Sequence, residues 1–155
     1  MGNVQLDYKE LVKLKEQIML FGDPTQMDQF MNSCAKELAA RLLAKVIKRT
    51  PVGQYPAETG KKGGTLRRGW TGGKSSNATA YANSLTVNKV GTDYVIDIIN
   101  PVEYASYVEY GHRTRNHKGW VEGRFMLTIS EDEIRNSAPR ILEKKLKNYL
   151  KGCFK

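Results

Sequence analysis

The feature that most constrains this chain is a run of apolar residues spaced three or four apart: Met27, Phe30, Met31, Cys34, Leu38, Leu42, Val46 and Ile47. That spacing returns to one side of an α-helix and to no single side of a strand. In front of it stand Asp23, a capping residue, Pro24, which suits the first helical position, and Gln26, three residues after the cap. Pro51 ends the helix, because the residue before a proline avoids helical geometry. Lys36, Arg41, Lys45, Lys48 and Arg49 lie mostly off the apolar stripe. One long amphipathic helix is thus set, and the rest of the chain must cover its apolar side.

The same signals place the other elements. Asp7 and Glu10 form a capping box for an N-terminal helix carrying Tyr8, Leu11, Val12 and Ile18, ended by Gly22-Asp23-Pro24. Residues 51–80 are crowded with glycine and read as a flexible loop region. Within it, Thr65 to Thr71 forms a short strand or turn. Tyr81, Asn83, Leu85 and Val87 alternate with polar or small residues, as do Tyr94, Ile96 and Ile98 with their neighbours, and Gly91-Thr92-Asp93 lies between. This predicts an antiparallel hairpin. Asn100, Pro101 and Glu103 start a third helix that Gly111 ends. His112 to Trp120 is a basic, turn-rich loop. Val121 to Ile129 fits no element clearly. Ser130-Glu131-Asp132-Glu133 caps a last helix reaching about Lys151, which Pro139 must kink or restart.

Length and composition bound the function. A chain of 155 residues makes one domain, here 1–155, with 1–24 as a variable N-terminal helix. The formal net charge of +9 favours an anionic partner: nucleic acid, a membrane surface or an acidic protein face. Cys34 falls on the apolar stripe and Cys153 near the C-terminus, so no disulfide framework is expected and a reducing cytoplasm fits. The N-terminus lacks the basic and apolar regions of a signal peptide. No apolar stretch is long enough to span a bilayer.

Chemical constellations are sparse. Gly73-Lys74-Ser75 resembles the end of a phosphate-binding loop, but Arg68 stands where its first glycine belongs, and Ser75 to Thr79 is a poor helix start. His112 and His117 share a basic loop without a metal-ligand partner at the right spacing. Glu103 and Glu109, six residues apart, do not share a helix face. No catalytic, cofactor or metal residues are assigned. What remains is two basic, aromatic-bearing loops: Arg67, Arg68 and Trp70, then Arg113, Arg115, Lys118, Trp120 and Arg124. Cations and aromatics of this kind serve phosphates and bases, or they serve a protein interface. Composition alone leaves both readings open. Tyr104, Tyr107 and Tyr110 fit core or subunit contact better than base stacking.

One stretch is recognisable. Residues Asn100-Pro101-Val102-Glu103-Tyr104-Ala105-Ser106-Tyr107-Val108-Glu109-Tyr110-Gly111-His112-Arg113-Thr114-Arg115, followed by Gly119-Trp120-Val121-Glu122-Gly123-Arg124-Phe125-Met126, closely resemble the gene-product-ten-like family of phage head–tail joining and tail-completion proteins. Supporting matches run from Ala35 to Gly53 and from Gly64 to Trp70, so the resemblance covers about residues 25–151. It implies an α+β fold, with long helices packed on a small antiparallel sheet and a glycine-rich mobile loop. It implies a non-enzymatic structural protein of the virion neck or tail, without cofactor, present in the host cytoplasm during assembly. Its partners would be other phage neck and tail proteins and further copies of itself in a ring, hexameric in many related tail-end proteins. Arg67, Arg68, Trp70, Tyr107, Tyr110, Arg113, Arg115, Trp120 and Arg124 are the interface candidates. Two expectations follow from this and the charge: loops 53–74 and 112–124 order on assembly, and some of their cations touch DNA in the ring lumen without reading its sequence. The alternative is a sequence-nonspecific nucleic-acid-binding protein.

Overall fold

The structure, a computed structural model, describes Val12, residues 23–74 and residues 77–153. The helix expected from Asp7 lies outside these residues, apart from Val12, which is helical and exposed. Helix α1 spans Pro24–Arg49. The Asp23 carboxylate accepts the Thr25 amide at 3.0 Å, and Thr50 leaves the helix in an extended conformation just before Pro51. Met27, Phe30, Cys34, Leu38, Leu42 and Val46 are buried, as the period requires, and Met31 and Ile47 border the same core. Each such leucine or valine stabilises the fold by about 1.5–3 kcal/mol relative to an exposed side chain.

The remaining elements are a 3-10 turn (Ala57–Thr59), α2 (Thr65–Gly69), α3 (Ala78–Ser84), β1 (Asn88–Val90), β2 (Asp93–Val95), α4 (Ala105–Tyr110), β3 (Gly111–Arg113), β4 (Trp120–Glu122) and α5 (Met126–Cys153). Helix α5 lies antiparallel along α1. Arg49 donates to Ser130 Oγ at 3.0 Å near one end, Lys45 to Glu133 and Lys145 to Glu37 at 2.8 Å along the length, and the Phe30 and Tyr149 rings meet at 4.6 Å near the other. Glu133 also accepts from Arg49, and that hydrogen bond holds its carboxyl below the usual range. Ile134, Ala138, Leu142 and Leu146 face α1 from α5. Pro139 stands inside α5 without ending it.

The fold is α+β, with its strands in two separate antiparallel ribbons, β1–β2 and β3–β4, in place of one small sheet. The helices pack chiefly on one another. The ribbon β1–β2 leans on α1, where Tyr94 and Lys89 both reach Asp28, the lysine at 3.0 Å.

Several sequence expectations need correction. Tyr81 to Val87 is mostly helix α3, because Asn77 caps it through an Ala80 amide at 2.7 Å and its alanines favour helix and approach α1 closely. The stretch from Ser75 to Thr79, expected to be a poor helix start, thus holds one, with Asn77 as its cap. The turn at Gly91 is real, but its strands are Asn88–Val90 and Asp93–Val95. Thr65 to Gly69 is helical. Asn100 does not cap the third helix, which begins at Ala105; it is buried and donates to Leu66 O at 2.8 Å. Gly111 does end that helix, at φ 86°. The last helix starts at Met126, and Ser130 lies buried inside it, bonded back to Met126 O at 2.5 Å.

Candidate functional site

The residues from α4 to α5 form a hairpin arm whose base is tightly tied. Helix α4 ends at Gly111, and the chain enters β3 at once. At the base, Arg124 N donates to Val108 O at 2.7 Å and Phe125 N to Glu109 O at 3.0 Å. The Glu109 carboxylate, fully buried, accepts the Leu127 and Thr128 amides at 2.9 Å and the Thr128 hydroxyl at 2.7 Å. Those amides belong to the first turn of α5, whose N–H groups have no partner within the helix. Glu109 therefore caps α5 from a distance, and its negative charge suits the positive end of the helix dipole. The two glycines are required by close approach. A β-carbon on Gly123 would lie 2.4 Å from Glu109 O, and one on Gly111 would lie 2.5 Å from Val121 O.

The tip of the arm is closed by its own hydrogen bonds. Thr114 N donates to Gly119 O at 3.0 Å, Gly119 N to Thr114 Oγ1 at 3.0 Å, and His117 N to Thr114 O at 2.8 Å. Asn116 Oδ1 takes the Thr114 hydroxyl at 2.6 Å and the Lys118 amide at 3.1 Å. The segment expected as a turn-rich loop is thus a hairpin, with its backbone groups engaged and Arg115 and Lys118 facing solvent.

Register sorts the arm's side chains by face. Arg113 lies opposite Trp120, and His112 opposite Val121, so each pair shares one face of the ribbon. The Tyr107 ring meets His112 edge-on at 5.9 Å, on the Val121 side. Trp120, Val121, Tyr104, Tyr107, Tyr110 and Phe125 are all exposed. Both faces of the ribbon therefore stand in solvent, and a two-stranded ribbon alone is marginally stable in water.

The other basic group sits differently. Trp70 is fully buried and donates to Thr50 Oγ1 at 2.8 Å; it belongs to the core and offers no surface to a partner. Arg67 is half-buried and grips Thr50 O through Nε at 3.2 Å and Nη2 at 2.7 Å. Thr50 itself is buried and donates to Val46 O at 2.6 Å. Asn100 Oδ1 would lie 2.2 Å from a β-carbon on Gly69, which explains the glycine before Trp70. Arg68, with Lys61, Lys62 and Lys74, remains exposed. Of the nine candidates, Tyr107, Tyr110, Arg113, Arg115, Trp120 and Arg124 come together on or beside the arm; Arg67, Arg68 and Trp70 do not join them. Sequence reasoning missed Glu109 as an anchor, because its partners lie eighteen and nineteen residues away. It also missed Val121 and Phe125 as exposed apolar groups.

Among the described residues, no group of three or more His, Cys, Asp or Glu side chains could hold a metal ion. No helix among them is long and apolar enough to cross a membrane.

Buried polar groups thus hold an exposed arm in place, and aromatic and cationic side chains stand on that arm in solvent. The family model described as "Bacteriophage HK97-gp10, putative tail-component" matches residues 13–111. The chain belongs to this family, a structural family of phage tail components whose place is the virion. The match ends at Gly111, at the root of the arm. Comparison with curated proteins and with solved structures finds no match.

Proposed function

We propose that this protein is a non-catalytic assembly component of the phage neck or tail end, acting through a ring of identical copies. The observation that carries the reading is the β3–β4 arm: an exposed ribbon with apolar groups on both faces, rooted in the longest helix by a buried carboxylate. Such a ribbon gains stability when a partner covers it. Contacts with other neck and tail proteins belong to the same proposal. The expected ordering of loops 53–74 and 112–124 on assembly is kept only for the exposed stretch 53–62, because α2 is already a helix packed on the core and 112–124 a closed hairpin. The exposed cations Lys61, Lys62, Arg68 and Lys74 supply sequence-blind contacts to DNA passing through the lumen.

The test is light scattering coupled to size-exclusion chromatography, at low and high salt, with and without duplex DNA. A discrete closed oligomer is the expected result. A monomer that binds DNA tightly at low salt and releases it at high salt would instead establish the nucleic-acid-binding alternative.

A further inference from the structure

Between β2 and α4, residues 96–101 have the exposure pattern of a strand and no strand partner, and 102–104 turn from this stretch into α4. Exposure alternates: Asp97, Ile99 and Pro101 face out, while Ile98 and Asn100 are buried. Yet the ladder with β1 stops at Val95, and among the described residues Ile96 to Ile99 make no backbone hydrogen bond with the rest of the chain. This is an unpaired edge, the kind of template to which another chain adds.

Two acids on and just after this edge, Asp97 and Glu103, are likewise in no ion pair with the described residues. From Gly91 to Gly111 the sequence holds no lysine or arginine, and Asp97 and Glu103 are exposed acids. The arm carries mostly the opposite charge: Arg113, Arg115, Lys118 and Arg124, against one exposed acid, Glu122. Among the described residues, the ion pairs on α1, α5 and Lys89 use neither Asp97 and Glu103 nor these arm cations. Apolar groups accompany both. Ile99 is 57% and Tyr104 45% exposed beside the acids, and Trp120 is 55% and Val121 44% exposed beside the cations. One chain thus carries two complementary surfaces that it does not use on itself.

We infer that the β3–β4 arm of one copy docks on the 96–104 segment of the next, Arg113, Arg115 and Lys118 facing Asp97 and Glu103. The inference rests on the ring reading above and names the contact that would build it. Two different patches meeting head to tail form a heterologous interface, which gives a ring when the rotation closes. Acid–base complementarity fixes the register and makes the contact sensitive to salt.

The test uses two full-length variants, Arg113→Glu with Arg115→Glu, and Asp97→Lys with Glu103→Lys. All four positions are surface positions, and circular dichroism checks that each variant folds. Each variant alone should lose self-association by at least about tenfold, because like charges then face each other. Mixed in equal amounts, the two should reassemble, since each restores the complement the other lacks. Rings from the mixture should hold an even number of subunits. Variants that assemble like the unaltered protein, or a mixture that stays dissociated, would overturn the docking contact and leave the ring reading standing. An unaltered protein that stays monomeric across the micromolar range would overturn both.

Discussion

Glu109 and Thr128 are joined twice, through the Thr128 amide at 2.9 Å and its hydroxyl at 2.7 Å, across the junction between the arm and the last helix. The carboxylate is buried, so water cannot replace it. Replacing Glu109 with alanine removes the cap and leaves the Leu127 amide buried without a partner. A loss of about 2–3 kcal/mol is expected. Glu109→Gln, which keeps one acceptor oxygen, should lose less. Urea unfolding of the three proteins checks the order, and equal stabilities would remove Glu109 from this role.

Gly69 touches Asn100. A β-carbon there would sit 2.2 Å from Asn100 Oδ1 and 2.8 Å from Val102 Cγ2. Gly69→Ala must push Asn100 off Leu66 O, leaving buried polar groups unpaired in an overpacked site. The expected cost is about 2–4 kcal/mol. Gly73→Ala is a useful contrast, because no atom lies within 4 Å of its β-carbon and only its φ of 79° opposes the change. A thermal melt showing Gly69→Ala to be the milder substitution would contradict the packing described.

The two tryptophans report on different regions. Trp70 is fully buried, while Trp120 is 55% exposed. Acrylamide should quench the emission of Trp70→Phe, which retains Trp120, much more than that of Trp120→Phe. On assembly, Trp120 should become protected and shift to shorter wavelength, with Trp70 unchanged. A Trp120 signal indifferent to assembly would place the arm outside the interface.

Glu37 makes the stability depend on acid. Hydrogen bonding to Lys145, at 2.8 Å, is the main cause that holds its carboxyl below the ordinary value of 4.5; Arg41 adds to it. A carboxylate with a lowered folded pKa contributes stability that is present above its unfolded value and lost as pH falls through the folded one. The contact between α1 and α5 should therefore weaken on acidification below 4.5. Lys145→Met should flatten that part of the pH profile. Urea midpoints measured on both sides of 4.5 would show it.

The long helices were legible because burial repeats along them at the helical period, and α1 needed nothing else. The short elements were not, because distant residues decide them. Tyr81 to Val87 alternates like a strand, yet Asn77 and the alanines that close against α1 make it helical. Ser130 looks like a cap, but Glu109 does that work four residues earlier along α5, and no local pattern announces a cap supplied by another segment. The interface candidates were chosen by residue type, which separates aromatic and cationic residues from others but not core from surface. Hence Trp70, bonded to Thr50, was grouped with Trp120, which stands in solvent.

The crossing of Gly111 and Gly123 also has a mechanical meaning. Slipping the ribbon by one residue would bring Glu122 or Arg124 to the place where only Gly123 clears the Glu109 carbonyl. The hairpin is locked in register and so has one reach. On the proposed contact, copies joined through it would inherit a single centre-to-centre spacing, set by two glycines, and a constant spacing is what allows a circle of subunits to close.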